Sequence, residues 1–219
     1  ESFDTNVGVF PTGSSLYNDW TVQRSHAIPA TPEMSVTGNK LNFTNGTGIS
    51  RTNATIPISV SDEVTVEAVV KLSENDNNAE TGLAIGNVGW GIYPNLTLHR
   101  FRDIRPSGAY LGDSADTLPS AMGATDEYVM RATFIKNGSN WDYTLEVNNT
   151  PGNPAYSHTA TGSLTDSVVT DGTGIIDKAG VYFNGYQFIA STVDGTATFD
   201  DFVVTTIPEP TSALLIALG

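Results

Sequence analysis

The 219-residue chain contains no cysteine, which excludes a disulfide framework and any thiolate metal site. Basic side chains are scarce as well: 10 Lys and Arg stand against 24 Asp and Glu, a formal charge of −14. Such a surface repels polyanions, so no nucleic-acid partner is expected. Charged residues of both signs reach only 16%, against about a quarter in an ordinary soluble domain. Helical periodicity is almost missing. Threonine (28), glycine (21), serine (18) and asparagine (17) fill the space. With 39% hydrophobic residues the chain still has enough to bury a core, unlike a disordered acidic polymer.

Period-two alternation recurs in short runs bounded by Gly, Pro, Asn and Asp, the pattern of half-buried strands. In the clearest run, Val64, Val66, Ala68, Val70 and Leu72 share one face, with Thr65, Glu67 and Lys71 on the other. Further strands are predicted over 82–86, 88–93, 95–101, 128–135, 141–147, 179–190 and 196–206. Lys136-Asn137-Gly138-Ser139-Asn140 reads as a hairpin turn, through its Asn-Gly pair. About ten strands with frequent turns predict an all-β fold, an antiparallel two-sheet β-sandwich. Residues 102–126, rich in Pro, Gly, Ser, Ala and Asp, read as one long irregular loop. No internal repeat and no second core is visible, so one domain over 1–206 is expected, followed by a tail over 207–219.

The order of these elements resembles the concanavalin A-like superfamily, in particular laminin-G-like jelly rolls. The segments that carry the resemblance are Asp62 to Leu72, Tyr128 to Val147, and Ala179 to Val204 with its Phe199-Asp200-Asp201-Phe202. An opening Ser2-Phe3-Asp4 near that closing strand is also typical of the type. The tail, Ile207-Pro208-Glu209-Pro210-Thr211-Ser212-Ala213-Leu214-Leu215-Ile216-Ala217-Leu218-Gly219, resembles the start of a PEP-CTERM sorting signal. That resemblance implies an exported protein of a Gram-negative bacterium, processed by an exosortase-type enzyme and delivered to the cell surface or extracellular matrix beside exopolysaccharide. The signal's transmembrane run and basic cluster are not in the sequence: the apolar stretch Ala213 to Leu218 is far short of the roughly 20 residues that span a bilayer. A retained tail, with Pro208, Glu209 and Pro210 as a stiff leader and Leu214, Leu215, Ile216 and Leu218 as its apolar part, would suit docking on the next copy of the chain. Head-to-tail contacts of that kind build filaments when they do not close a ring.

Four constellations bear on chemistry. Glu74-Asn75-Asp76-Asn77-Asn78-Ala79-Glu80 has the spacing Glu-x-Asp-x-x-x-Glu found in retaining glycosidases of this sandwich type. The residues between its acids are Asn75, Asn77, Asn78 and Ala79, not the apolar set that a core-facing catalytic strand needs, so it reads as a solvated hairpin loop. Asp200 and Asp201, with Asp4 as partner, form an oxygen cluster of the sort that holds a structural Ca²⁺ in the resembling jelly rolls. His99-Arg100-Phe101-Arg102-Asp103-Ile104-Arg105 holds three of the six arginines in seven residues. Arg100, Arg102 and Arg105 there suit uronate or sulfate groups of a polysaccharide, because guanidinium donors match such anions. Pairing with Asp103, Asp113 or Asp116 is the alternative. Among Trp20, Trp90, Trp141, Tyr93, Tyr110, Tyr182 and Tyr186, the pair Trp90 and Tyr93 stands beside this segment as the candidate sugar-stacking platform. No catalytic constellation stands out. The expected protein is non-enzymatic, structural or adhesive and self-assembling; a Ca²⁺-dependent carbohydrate-binding module is the second expectation and a glycoside hydrolase or lyase the third.

Overall fold

The computed structural model describes residues 15–16, 20–28, 33–37, 40–44, 49–72, 79–93, 96–105, 109–117, 127–149, 157–186 and 196–207. Asp4, Glu74, Asp76 and the tail from Pro208 onward lie outside them, as do the side chains of Tyr93 and Tyr186. The strands are β1 (Ser15–Leu16), β2 (Trp20–Ile28), β3 (Glu33–Thr37), β4 (Lys40–Thr44), β5 (Ile49–Val60), β6 (Glu63–Leu72), β7 (Ala79–Ile85) and β8 (Val88–Tyr93). They continue as β9 (Leu96–Asp103), β10 (Tyr110–Thr117), β11 (Glu127–Asn137), β12 (Asn140–Asn149) and β13 (Ser157–Thr165). A short helix α1 (Asp166–Thr170) precedes β14 (Ile176–Tyr186) and β15 (Thr196–Ile207).

The strands form two sheets. One runs β1-β2-β5-β14-β7-β8-β9-β10; the other runs β13-β12-β11-β6-β15-β4-β3. Every ladder is antiparallel. The expected two-sheet sandwich is therefore the fold. Alternation does what it should: Val64, Val66, Ala68 and Val70 are buried, and so are Tyr128, Met130, Ala132 and Phe134 across the ladder from them. The two sheets meet through rings, with Trp20 of β2 edge-on to Phe202 of β15 at 4.9 Å and Phe43 of β4 against Phe183 of β14 at 5.8 Å.

Phe199 and Phe202 are three residues apart, yet both are buried. A strict period of two would turn one of them outward. The β6–β15 register shifts between Asp200 and Val203, and Asp201 there adopts a left-handed φ of 48°. This bulge absorbs the extra residue and returns Phe202 to the core.

The structure corrects two expectations. The stretch 102–126 is not one irregular loop, because β9 runs on to Asp103 and β10 occupies Tyr110–Thr117. Nor is Glu80 in a solvated loop: it belongs to β7 and is fully buried.

Candidate functional site

The arginine segment lies on the outer face of the eight-stranded sheet. Its placement follows from the pleat. In β8, Val88, Trp90 and Ile92 point between the sheets and are buried, so Gly89 and Gly91 face outward. The ladders set Gly91 opposite both Gly82 and Arg100, and Gly89 opposite both Ala84 and Arg102. Glycine leaves a trough along β8, and Tyr182 of β14 fills it. A Cβ on Gly89 would stand 2.8 Å from the Tyr182 ring and 2.9 Å from Ile104; one on Gly91 would stand 3.1 Å from the Glu80 side chain. Ala84, Ile104 and Tyr182 thereby form a small apolar cluster outside the main core.

Glu80 lies at the end of this trough with no exposed surface. Its carboxylate accepts from Arg102 Nη2 at 3.0 Å, from Arg102 Nε at 3.3 Å and from Tyr182 Oη at 3.1 Å. Arg100 Nη1 stands 3.6 Å away. A buried carboxylate is tolerable because two cations and a hydroxyl surround it.

Tyr110 of β10 completes the site. The Arg100 and Arg102 guanidinium carbons lie 5.3 and 5.2 Å from its ring centroid, within cation–π range. Tyr110 is 52% exposed. An open aromatic surface backed by two arginines held in place from below suits the apolar face of a sugar and an anionic substituent beside it. Arg105 goes elsewhere, donating to Asp103 through Nε at 2.8 Å and pairing with Asp171. For Arg105 the pairing alternative therefore holds. Arg100 and Arg102 both reach Glu80, an acid outside the three aspartates expected.

Trp90 must be removed from the platform. Its ring is fully buried between the sheets, so it packs the core and stacks on nothing in solvent. The glycines on either side of it were the signal, since a strand that alternates Gly with Val, Trp and Ile turns its large residues one way. The described part of the suspected calcium cluster does not fit a cation either. Asp200 Oδ2 is 3.3 Å from Lys40 Nζ, its Oδ1 accepts from the Asp201 N–H at 3.0 Å, and Asp201 is exposed.

Gly89→Ala tests the trough. The methyl group meets two well-packed side chains, so overpacking is expected to lower stability by about 1–3 kcal/mol. Chemical denaturation would show a lower midpoint at an unchanged slope.

No family model matches the chain, and no curated protein matches it. Solved structures match over nearly its whole length. Lectin II from Ulex europaeus is 12% identical, with 93% of this chain and 99% of the lectin covered and a TM-score of 0.56. The carbohydrate recognition domain of Emp46p in its potassium-bound form is 10% identical, over 91% and 97%, with a TM-score of 0.50. A chain described with the endo-acting O-glycanases that initiate mucin breakdown in the human gut microbiota is 7% identical, over 95% and 98%, at 0.56. At such identities the likeness concerns the fold, and the fold is the concanavalin A-like sandwich.

Proposed function

We propose that this chain is a carbohydrate-binding sandwich of a bacterial cell surface or extracellular matrix. Its glycan site is the Tyr110, Arg100 and Arg102 patch on the outer face of the eight-stranded sheet. The observation that carries the reading is the half-exposed Tyr110 ring lying against two guanidinium groups that buried Glu80 holds in position. Guanidinium groups beside the ring favour an anionic glycan, such as a uronate or sulfated polysaccharide, over a neutral one, because their forked donors match such anions. The sandwich fold shared with lectins supports a sugar ligand. The Pro208-Glu209-Pro210 tail supports an address beside exopolysaccharide in a Gram-negative bacterium, with an exosortase-type enzyme as processing partner.

Isothermal titration with polygalacturonate and with dextran tests this. Binding of the polyuronate only is expected, weakening as salt rises. Tyr110→Ala is expected to reduce affinity about tenfold, the loss of one stacking surface worth roughly 1–1.5 kcal/mol. Failure to bind any acidic polysaccharide, or binding that Tyr110→Ala leaves unchanged, would remove the proposal.

A further inference from the structure

The chain has no cysteine, so no disulfide ties its strands together. One lysine stands against a group that offers a different covalent tie. Lys178 of β14 donates from Nζ to Oδ1 of Asn87 at 2.9 Å. Asn87 lies in the turn between β7 and β8 and is buried, with 4% of its surface exposed. On the other side of the same amide, Asn87 Nδ2 donates to Oδ2 of Asp171 at 3.0 Å. An amine, a carboxamide and a carboxylate are thus gathered around one amide carbon. Lys40 and Lys136 differ, because they face carboxylates: Glu127 and Asp200 for the first, Asp166 for the second. An ionised carboxylate resists attack by an amine, whereas a carboxamide carries a leaving group.

The three groups are carried by separate elements that the backbone locks against one another. The Gly86 N–H donates to the Lys178 carbonyl at 2.8 Å, which fixes β14 against the turn. The Asn87 N–H donates to the Val169 carbonyl of α1 at 2.9 Å, and the Asn87 carbonyl accepts from the Ile104 N–H at 2.9 Å. Gly86 makes the approach to α1 possible. Its φ is +55°, and a Cβ there would stand 2.4 Å from the Val169 carbonyl oxygen. Asp171 caps α1 in a left-handed conformation, φ 60°, and its Oδ1 is paired with Arg105. Asp177 Oδ1, 3.6 Å from Nζ, is the other carboxylate beside the lysine. The amide carbon lies one C=O bond of about 1.2 Å beyond Oδ1, so Nζ is held within about 4 Å of it. Reacting atoms in a productive arrangement stand about 3–3.5 Å apart, a small further step.

We propose that Lys178 and Asn87 join in an intramolecular isopeptide bond. Nζ, once it has given up its ammonium proton, attacks Cγ of Asn87, and the tetrahedral adduct collapses with loss of ammonia. The Nζ–Cγ bond forms, the Cγ–Nδ2 bond breaks, and a proton shed by Nζ leaves on Nδ2. Amine plus carboxamide gives secondary amide plus ammonia, so no oxidant or further reactant is needed. Asp171, already hydrogen-bonded to the leaving nitrogen, carries that proton across and is the catalytic residue of the step. Rigid neighbours supply what a free amine and amide lack, because holding the reactants in place replaces a bimolecular encounter. The product staples β14 to the β7–β8 turn across 91 positions of sequence. It ties the strand that carries Tyr182 to the hairpin whose glycines receive that ring, whether or not a glycan binds there.

Intact-mass spectrometry of the purified full chain tests the proposal. A mass about 17 Da below that of the sequence, one ammonia, is expected, with a pair of tryptic peptides joined through Lys178 and Asn87. Lys178→Arg keeps the charge and the donor but has no amine to attack with, since a guanidinium is not deprotonated in proteins. That variant is expected to keep its full mass and to melt about 5–15 °C lower, the scale of losing one cross-link over a long loop. In chain freshly made by cell-free synthesis, Asp171→Ala is expected to slow the loss of ammonia at least about tenfold. Full mass in the unaltered chain, a loss of ammonia that survives Lys178→Arg, or a rate indifferent to Asp171→Ala would each overturn the proposal.

Discussion

Replacing Glu80 by alanine is expected to lower the unfolding free energy by about 3–5 kcal/mol, the usual cost of removing one partner from a buried ion pair. The carboxylate has no exposed surface, while the Arg100 and Arg102 side chains retain 20% and 13% of theirs. Removing it leaves two guanidinium groups side by side and the Tyr182 hydroxyl without the acceptor at 3.1 Å. Urea denaturation monitored by tryptophan fluorescence would show the loss. Pairing Glu80→Leu with Arg102→Leu should recover much of it, because an apolar pair of similar volume often matches a buried salt bridge. A cost under about 1 kcal/mol for Glu80→Ala would mean that water, not the carboxylate, satisfies the arginines.

The second large effect is expected at Asp166, the first residue of α1. Its Oδ1 accepts from Lys136 Nζ at 2.5 Å, from the buried Trp141 Nε1 at 2.7 Å and from Thr170 Oγ1 at 2.8 Å. Oδ2 accepts from the Gly174 N–H at 3.1 Å. This one carboxylate thus ties β11 and β12 to the turn that follows the helix. Burial pushes its pKa upward, but the hydrogen bonds from Lys136, Trp141 and Thr170 outweigh that and hold it down at about 2. Since the folded state favours the ionised form, the stabilisation is complete above the ordinary aspartate pKa of about 3.9. It is lost as the pH falls through about 2. Across that window the contribution is roughly 2 kcal/mol. Asp166→Asn should flatten the acid limb of the stability profile by about that amount. Asp166→Ala, which also strands the Trp141 N–H in the core, should cost about 3 kcal/mol at neutral pH. Denaturation midpoints of both variants between pH 2 and 7 would decide; an acid limb unchanged in Asp166→Asn would show that other carboxylates set it.

Legibility in the sequence followed the cleanness of alternation. The strands β6, β11, β12 and β15 were visible because one face is almost purely apolar, and 88–93 was read with the bounds of β8. β5 and β13 were missed because threonine, serine and asparagine dilute their buried face, and β10 because Gly112 and two aspartates read as loop chemistry. The helix α1 spans five residues, too few to show a helical period. At the site, the concentration of arginines was legible, but the acid that holds Arg100 and Arg102 was not. Glu80 follows Asp76-Asn77-Asn78-Ala79 and gives no local hint of burial; its environment is made by Tyr182, 102 positions away. The exposure of Tyr110 likewise depends on how β10 lies beside β9, which no local pattern encodes.

The position of β15 has a consequence for how this chain folds. It is the last described strand, yet it lies between β6 and β4 near the middle of its sheet, bonded to residues more than a hundred positions earlier. Until Thr196–Ile207 arrives, β4 and β6 have no neighbour to join them, and the sheet exists only as two fragments with open interior edges. Loop closure over such separations makes folding slow and leaves strand edges exposed meanwhile. A nascent chain arrested before residue 196 therefore holds the sequence of most of the sandwich but lacks the strand that closes it.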